Sequence, residues 1–153
     1  MKRIFFVSLI GFVIIGCSQQ PKKVYQFSCG ESYSSNNSVV SVENLIQSME
    51  SAARILSIQN IGYQAGMRLD YNNYSKGLVC NSEYNKLADD NIKKLAKDVK
   101  NKVKGVDNKK LVADTYSKWL TYLESISPKE TKGDNNAKYD FQLSINKLKA
   151  ISL

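Results

Sequence analysis

No histidine occurs in the 153 residues. That absence removes Ser-His-Asp and Cys-His catalysis, histidine-ligated zinc and any histidine pH switch. Glycine is sparse and nowhere arranged as a phosphate-binding loop, and no nucleophile elbow is present. Calcium loops are missing as well. Asp70 with Asn72, and Asp134 with Asn135 and Asn136, lack the required glycine and the later acidic ligand. No acids form a pair suited to general acid-base work, because the separation that matters is spatial. Glu31, Asp70 and Glu83 stand nearest the loops and the later cysteines, and are the residues a cell-wall-active enzyme would use. No catalytic residue, metal or cofactor is expected. Proline is limited to Pro21 and Pro128, and both punctuate the chain. No repeat and no second domain is visible.

Long hydrophobic runs are also missing but for one short stretch. Lys2 and Arg3 open the chain, and Ile4 to Ile15 is apolar apart from Ser8 and Gly11. As a helix it would reach about 18 Å, well short of the roughly 30 Å hydrocarbon core of a bilayer. It reads as an export signal and not as a membrane span. Directly after it stand Ile14, Ile15 and Gly16, then Cys17. This junction resembles the lipobox of bacterial lipoprotein precursors. The resemblance implies cleavage between Gly16 and Cys17, diacylglycerol in thioether linkage on the Cys17 thiol, and an acyl chain such as palmitate on the new amino group. Ser18, where an acid would signal inner-membrane retention, implies the outer membrane, with the protein facing the periplasm or the cell surface. These implications give an address and a membrane contact through Cys17, not an activity.

With Cys17 assigned to lipid, Cys29 and Cys80 remain as an even pair in an exported chain, and a disulfide is the expectation. Two free thiols are the alternative. Closing a loop of about fifty residues stabilises a fold by about 4 kcal/mol on the chain-entropy model. Loss of residues 1–16 removes two cations and no acids, so the formal charge falls from +8 to +6. An exported basic chain does not point to nucleic acid. Anionic lipid or acidic cell-wall material is the matching partner, through Lys93, Lys97, Lys100 and Lys104, and a solvated helix face is the plainer reading.

Residues 17–38 then read as lipidated cysteine, tether and loop, with a brief β-prone run at Val24 to Phe27, and residues 39–153 as a helical domain. Ser41 is a fitting N-cap, Glu43 complements the first turn, and Leu45, Met49, Ala52, Ala53 and Leu56 repeat at helical spacing. This helix runs to about Ile61 or on to Leu69, depending on Gly62 and Gly66, which either break it or admit another backbone closely. Asp70 to Cys80 reads as an irregular segment whose Tyr71 and Tyr74 are candidate partner contacts. The second helix is expected from Ser82, with a stripe from Tyr84 through Leu87, Ile92, Leu95 and Val99 to Val106. Asp89 with Lys93, Asp90 with Lys94 and Asp98 with Lys102 have the spacing of pairs worth about 0.2 to 0.5 kcal/mol each.

Gly105 ends that helix, and Asp107 or Asn108 can cap the next. Val112, Tyr116, Trp119, Leu123 and Ile126 form a heptad-like seam that stops before Pro128. Trp119 reads as core with its indole nitrogen at the surface, and with Tyr122 it is also a candidate for lining a partner or ligand groove. Phe141, Ile145 and Leu148 mark a final helix. The fold class is all-α, a small bundle of three to four helices with one disulfide behind a signal peptide and short tether.

Gly62, Tyr63, Gly66, Asp70 and Cys80, followed by amphipathic helices, also resemble the small helical periplasmic immunity proteins that neutralise enzymes delivered by type VI secretion. That resemblance implies a toxin-binding plug with no catalysis, and transfers no binding residue. The leading expectation is a lipid-anchored envelope binding or accessory protein with a protein partner. The alternatives are immunity against an incoming toxin, exclusion of a conjugation component, or a cell-wall-active enzyme.

Overall fold

The computed structural model describes residues 29, 30, 33, 39–70 and 72–151. The signal segment, Cys17, the tether with its β-prone run, Glu31 and Tyr71 lie outside the described residues. Four helices and no strand are found among those described: α1 (Val42–Leu69), α2 (Asn72–Lys102), α3 (Val106–Ser125) and α4 (Asn135–Lys149). The all-α class is shown, as is the single disulfide, Cys29–Cys80.

Ser41 caps α1 as expected, its Oγ accepting from the Asn44 amide at 3.1 Å. The helix runs unbroken through Gly62 and Gly66 and stops at Asp70, whose backbone is extended. One side-chain oxygen of Asp70 accepts from the Asn72 amide at 3.0 Å, and its carbonyl accepts from the Asn73 amide at 3.0 Å. Asp70 therefore closes α1 and opens α2, with only Tyr71 between it and the new helix.

The irregular segment expected between Asp70 and Cys80 is instead the first turns of α2, which begins ten residues ahead of Ser82. Asn, Ser and Gly lower intrinsic helix propensity by less than about 1 kcal/mol each, and packing against α1 outweighs that. The buried Asn73 donates to the Gly66 carbonyl at 3.2 Å, and Gly77 lies directly against Tyr63. Two of the residues that looked like loop formers, Asn73 and Gly77, are buried in contacts with α1, while Asn72 and Ser75 stay exposed.

Gly105 takes φ +85 as the chain turns into α3, a conformation that favours glycine. Gly105, and neither Asp107 nor Asn108, holds the N-cap position, and no side chain caps this helix. Asp107 sits in the first turn, and Asn108 donates back to the Lys104 carbonyl at 2.9 Å. The third helix ends at Ser125, three residues before Pro128. Ser125 Oγ accepts from the Asp134 amide at 2.8 Å, while Asp134 accepts from the Ala137 amide at 2.8 Å and so caps α4.

Short connections make successive helices antiparallel neighbours. The pairs α1–α2 and α3–α4 pack most extensively and α2 packs on α3, whereas α1 meets α3 and α4 thinly and α2 does not touch α4. The core is a single cluster in which Leu45, Met49, Leu56, Ile92, Trp119, Leu123 and Leu148 have no exposure worth noting. Trp119 is 0% exposed and its indole nitrogen donates to the Met49 carbonyl at 2.9 Å. That corrects the expectation of an exposed indole and removes Trp119 as a partner contact, since the α1 carbonyl satisfies the polar edge without water. Leu87 and Val106 leave the expected stripe for solvent.

Lengths differ within the bundle. The 28 and 31 residues of α1 and α2 extend about 42 and 46 Å, against about 30 and 22 Å for the 20 and 15 residues of α3 and α4. Ser57 donates to the Thr131 carbonyl at 2.6 Å, and Pro128 lies beside Gly77, so the α3–α4 connection meets the long pair well below its tip. The α1–α2 hairpin overhangs.

Two glycines of the α1–α2 pair should respond oppositely to alanine. A Cβ on Gly62 meets nothing within 4 Å, so Gly62→Ala should raise the free energy of unfolding in urea by about 0.5 to 1 kcal/mol. A Cβ on Gly77 would stand 3.1 Å from Tyr63 Cβ, so Gly77→Ala should lower it by about 1 to 3 kcal/mol.

Candidate functional site

Ahead of α1, the described residues are fastened to the seam between α1 and α2 at three levels. Cys29 is bonded to Cys80 with the Cα atoms 5.4 Å apart, and beside it the Gly30 amide donates to the Tyr63 hydroxyl at 3.0 Å. Tyr33 meets Tyr84 edge-on with ring centres 6.0 Å apart, and Tyr84 donates to the Ala52 carbonyl at 3.2 Å. At the far end Lys102 reaches the Val40 carbonyl at 3.3 Å. Burial holds both Tyr33 and Tyr84 above the usual phenol pKa, and the neighbouring Tyr33 adds to the effect on Tyr84. Next to the disulfide, Ser75, Lys76, Val79 and Glu83 line an open, mainly apolar groove of about 410 Å³.

A second concavity lies where α1 and α4 fail to close the bundle. It holds about 280 Å³ over a floor of Ala53, Tyr122, Phe141 and Ile145, and Glu50, Arg54, Lys138 and Gln142 stand around its mouth. Tyr122 stacks on Phe141 with ring centres 5.9 Å apart and donates to the Lys132 carbonyl at 3.3 Å. Burial raises its pKa. Ile58 lines the cleft and Ile61 follows one turn on, both more than half exposed. Of the pair expected to line a groove, Tyr122 does so and Trp119 does not. The other lining residues were not singled out from sequence, because they come from different helices and share no spacing.

The third surface is the outer side of α2. Lys93, Lys97, Lys100 and Lys104 are all exposed. None of the expected pairs Asp89–Lys93, Asp90–Lys94 and Asp98–Lys102 closes as an ion pair among the described residues. Asp89 accepts from the Tyr116 hydroxyl and Lys102 turns to Val40, while the i,i+4 ion pair that closes on an exposed face is Lys118 with Asp114, at 2.9 Å. Tyr116 has a raised pKa through burial first and its Asp89 bond second.

Tyr74 is half-buried, with the Lys129 ammonium 5.7 Å from its ring centre. Of the three acids near the loops, Asp70 bonds the start of α2 and Glu83 flanks the disulfide groove. The eleven residues from Asn72 to Glu83 rise about 16 Å along the helix, beyond the roughly 9.5 Å that an inverting glycosidase spans. Among the described residues, no three Cys, Asp or Glu side chains gather as a metal site requires, and no helix is long and apolar enough to cross a membrane.

Comparison with protein-family models, curated proteins and solved structures gives no match. Function is therefore read from this chain's own residues.

The disulfide closes a loop of 51 residues, and its reduction, or the double change Cys29→Ser with Cys80→Ser, should lower the unfolding free energy in urea by about 4 kcal/mol. The tyrosines generate an alkaline limit. Their folded pKa values lie above the unfolded value of about 10, so their contribution is complete below that pH and erodes above it, where the unfolded chain loses protons first. Urea midpoints at about pH 8 and pH 11 should show the loss, and Tyr84→Phe should shrink it.

Proposed function

We propose that this chain is a lipid-anchored binding or accessory protein of the cell envelope, without catalytic activity, held at the outer membrane through lipid on Cys17 and offering its bundle to a protein partner. The observation that carries the reading is the sequence Ile14-Ile15-Gly16-Cys17, with Cys29 fixed to α2 only twelve residues later. Twelve residues extend at most about 43 Å, so a lipid on Cys17 would hold the domain beside its membrane. A disulfide in an exported chain supports the same address. The lack of histidine and the distance between Asp70 and Glu83 favour binding over catalysis.

For the partner, the α1–α4 cleft is the best-suited surface. It combines an aromatic floor with charged groups at its mouth and the exposed Ile58 and Ile61 alongside, the usual composition of an anchoring pocket within a polar rim.

Intact-mass analysis of the mature protein should give a chain beginning at Cys17 and heavier by its lipid, and an unmodified Cys17 or an uncut signal would sink the proposal. A photo-crosslinker at Ile58 in intact cells should capture one protein that a crosslinker at the exposed Val106 does not. A secreted hydrolase or a conjugation component captured at Ile58 would make the protein an immunity or exclusion factor. Equal capture at both positions would dismiss the cleft.

A further inference from the structure

We infer that the outer face of α2 lies on the anionic phospholipid headgroups of the leaflet that carries the anchor, a proposal that rests on lipidation of Cys17. The four lysines of that face are joined by Lys86, giving successive spacings of seven, four, three and four. At about 100° per residue the four on the helix, Lys86, Lys93, Lys97 and Lys100, stay within a sector of about 60°, and Lys104 follows two residues past the end of α2. All five are exposed, and among the described residues none has an acid within ion-pair distance. Exposed Val79 falls in the same sector near the disulfide.

The acids of α2 leave this sector clear. Asp89 is held toward α3 by Tyr116, Glu83 flanks the disulfide groove, and Asp98 projects to another side of the helix. Asp89 and Asp90 stand about 20° outside the row, one on each side of it. The result is a cationic strip about 21 Å long on α2, from Lys86 to Lys100, continued by Lys104 just past the helix end, with no charge of opposite sign inside it.

Its position relative to the anchor fits that use. Lys86 lies six residues, about 9 Å, along α2 from Cys80, which is the point where the tether is covalently held. The strip is thus within reach of the surface that the tether delivers, and tethering makes the second contact intramolecular. Clustered lysines beside an anionic leaflet are attracted over a Debye length of about 8 to 10 Å. Because α2 and α4 do not touch, this seating turns α4 and the α1–α4 cleft away from the membrane and toward a partner.

The test uses the lipidated mature protein in vesicles of phosphatidylcholine alone or with one-third phosphatidylglycerol, pulsed with an amine-acetylating reagent and read by mass spectrometry. Acetylation of Lys86, Lys93, Lys97, Lys100 and Lys104 should slow at least fivefold in the anionic vesicles and recover in high salt, while Lys138 and Lys147 on α4 label alike in both. Changing Lys93, Lys97, Lys100 and Lys104 together to Gln should abolish the protection of Lys86. Equal rates in both vesicle types, or slowing of every lysine alike, would overturn the inference while leaving the anchor intact. Slowing that requires added cell-wall polymer or a protein would also overturn it. If the mass shows Cys17 unmodified, the anchor falls, and failure of the processed chain to cosediment with anionic vesicles above the neutral level would reject the lysine face as well.

Discussion

The close approach of α1 and α2 is the contact on which the rest of this molecule depends. Gly77 lets Tyr63 settle on the α2 backbone, Asn73 adds a second hydrogen bond to the Gly66 carbonyl that already accepts from the Asp70 amide, and Asp70 serves both helices at once. Once these two helices are paired, one side of the pair receives α3 and α4 and the seam receives Cys29, Tyr33 and Val40. Trp119 then joins the two halves, because its ring fills the core and its nitrogen binds the backbone of α1. Its fully buried donor would cost about 1 to 3 kcal/mol if left without that carbonyl.

Periodicity made much of this visible in the sequence. Apolar residues at spacings of three and four located α1, α3 and α4, and the parity of the cysteines after Cys17 anticipated the Cys29–Cys80 bond. Composition misled between Asn72 and Cys80, where residues that favour loops in isolation are consumed by contacts with a helix distant in sequence. The acid-base spacing on α2 misled similarly, since Asp89 has a better donor in Tyr116 than in Lys93. The α1–α4 cleft was legible only in Tyr122, as a lining residue. Its floor draws on three helices, and nothing in one segment announces what another will bring to it.

Different faces of the bundle carry different chemistry. The outer side of α2 is cationic, the seam behind it is met by Cys29, Gly30, Tyr33 and Val40, and the α1–α4 side is open, aromatic and rimmed by both signs of charge. The proposed anchoring and partner binding would use this separation, because a surface that holds the molecule cannot also be the one that recognises a partner. The absence of α2–α4 contact keeps the two apart.

The disulfide also sets a leash. On the proposed lipid at Cys17, the folded domain would hang by the twelve residues to Cys29 when the bond is closed, and by the twenty-four to Ser41 once the bond and the contacts of Gly30, Tyr33 and Val40 have all opened. Fully extended, those lengths differ by roughly 40 Å. Cys80 follows Cys29 by 51 residues, so in a proposed exported chain the long leash would come first. Oxidation would then draw the domain in, and on the proposed anchor a covalent bond between two side chains would become a choice of how far from the membrane the protein works.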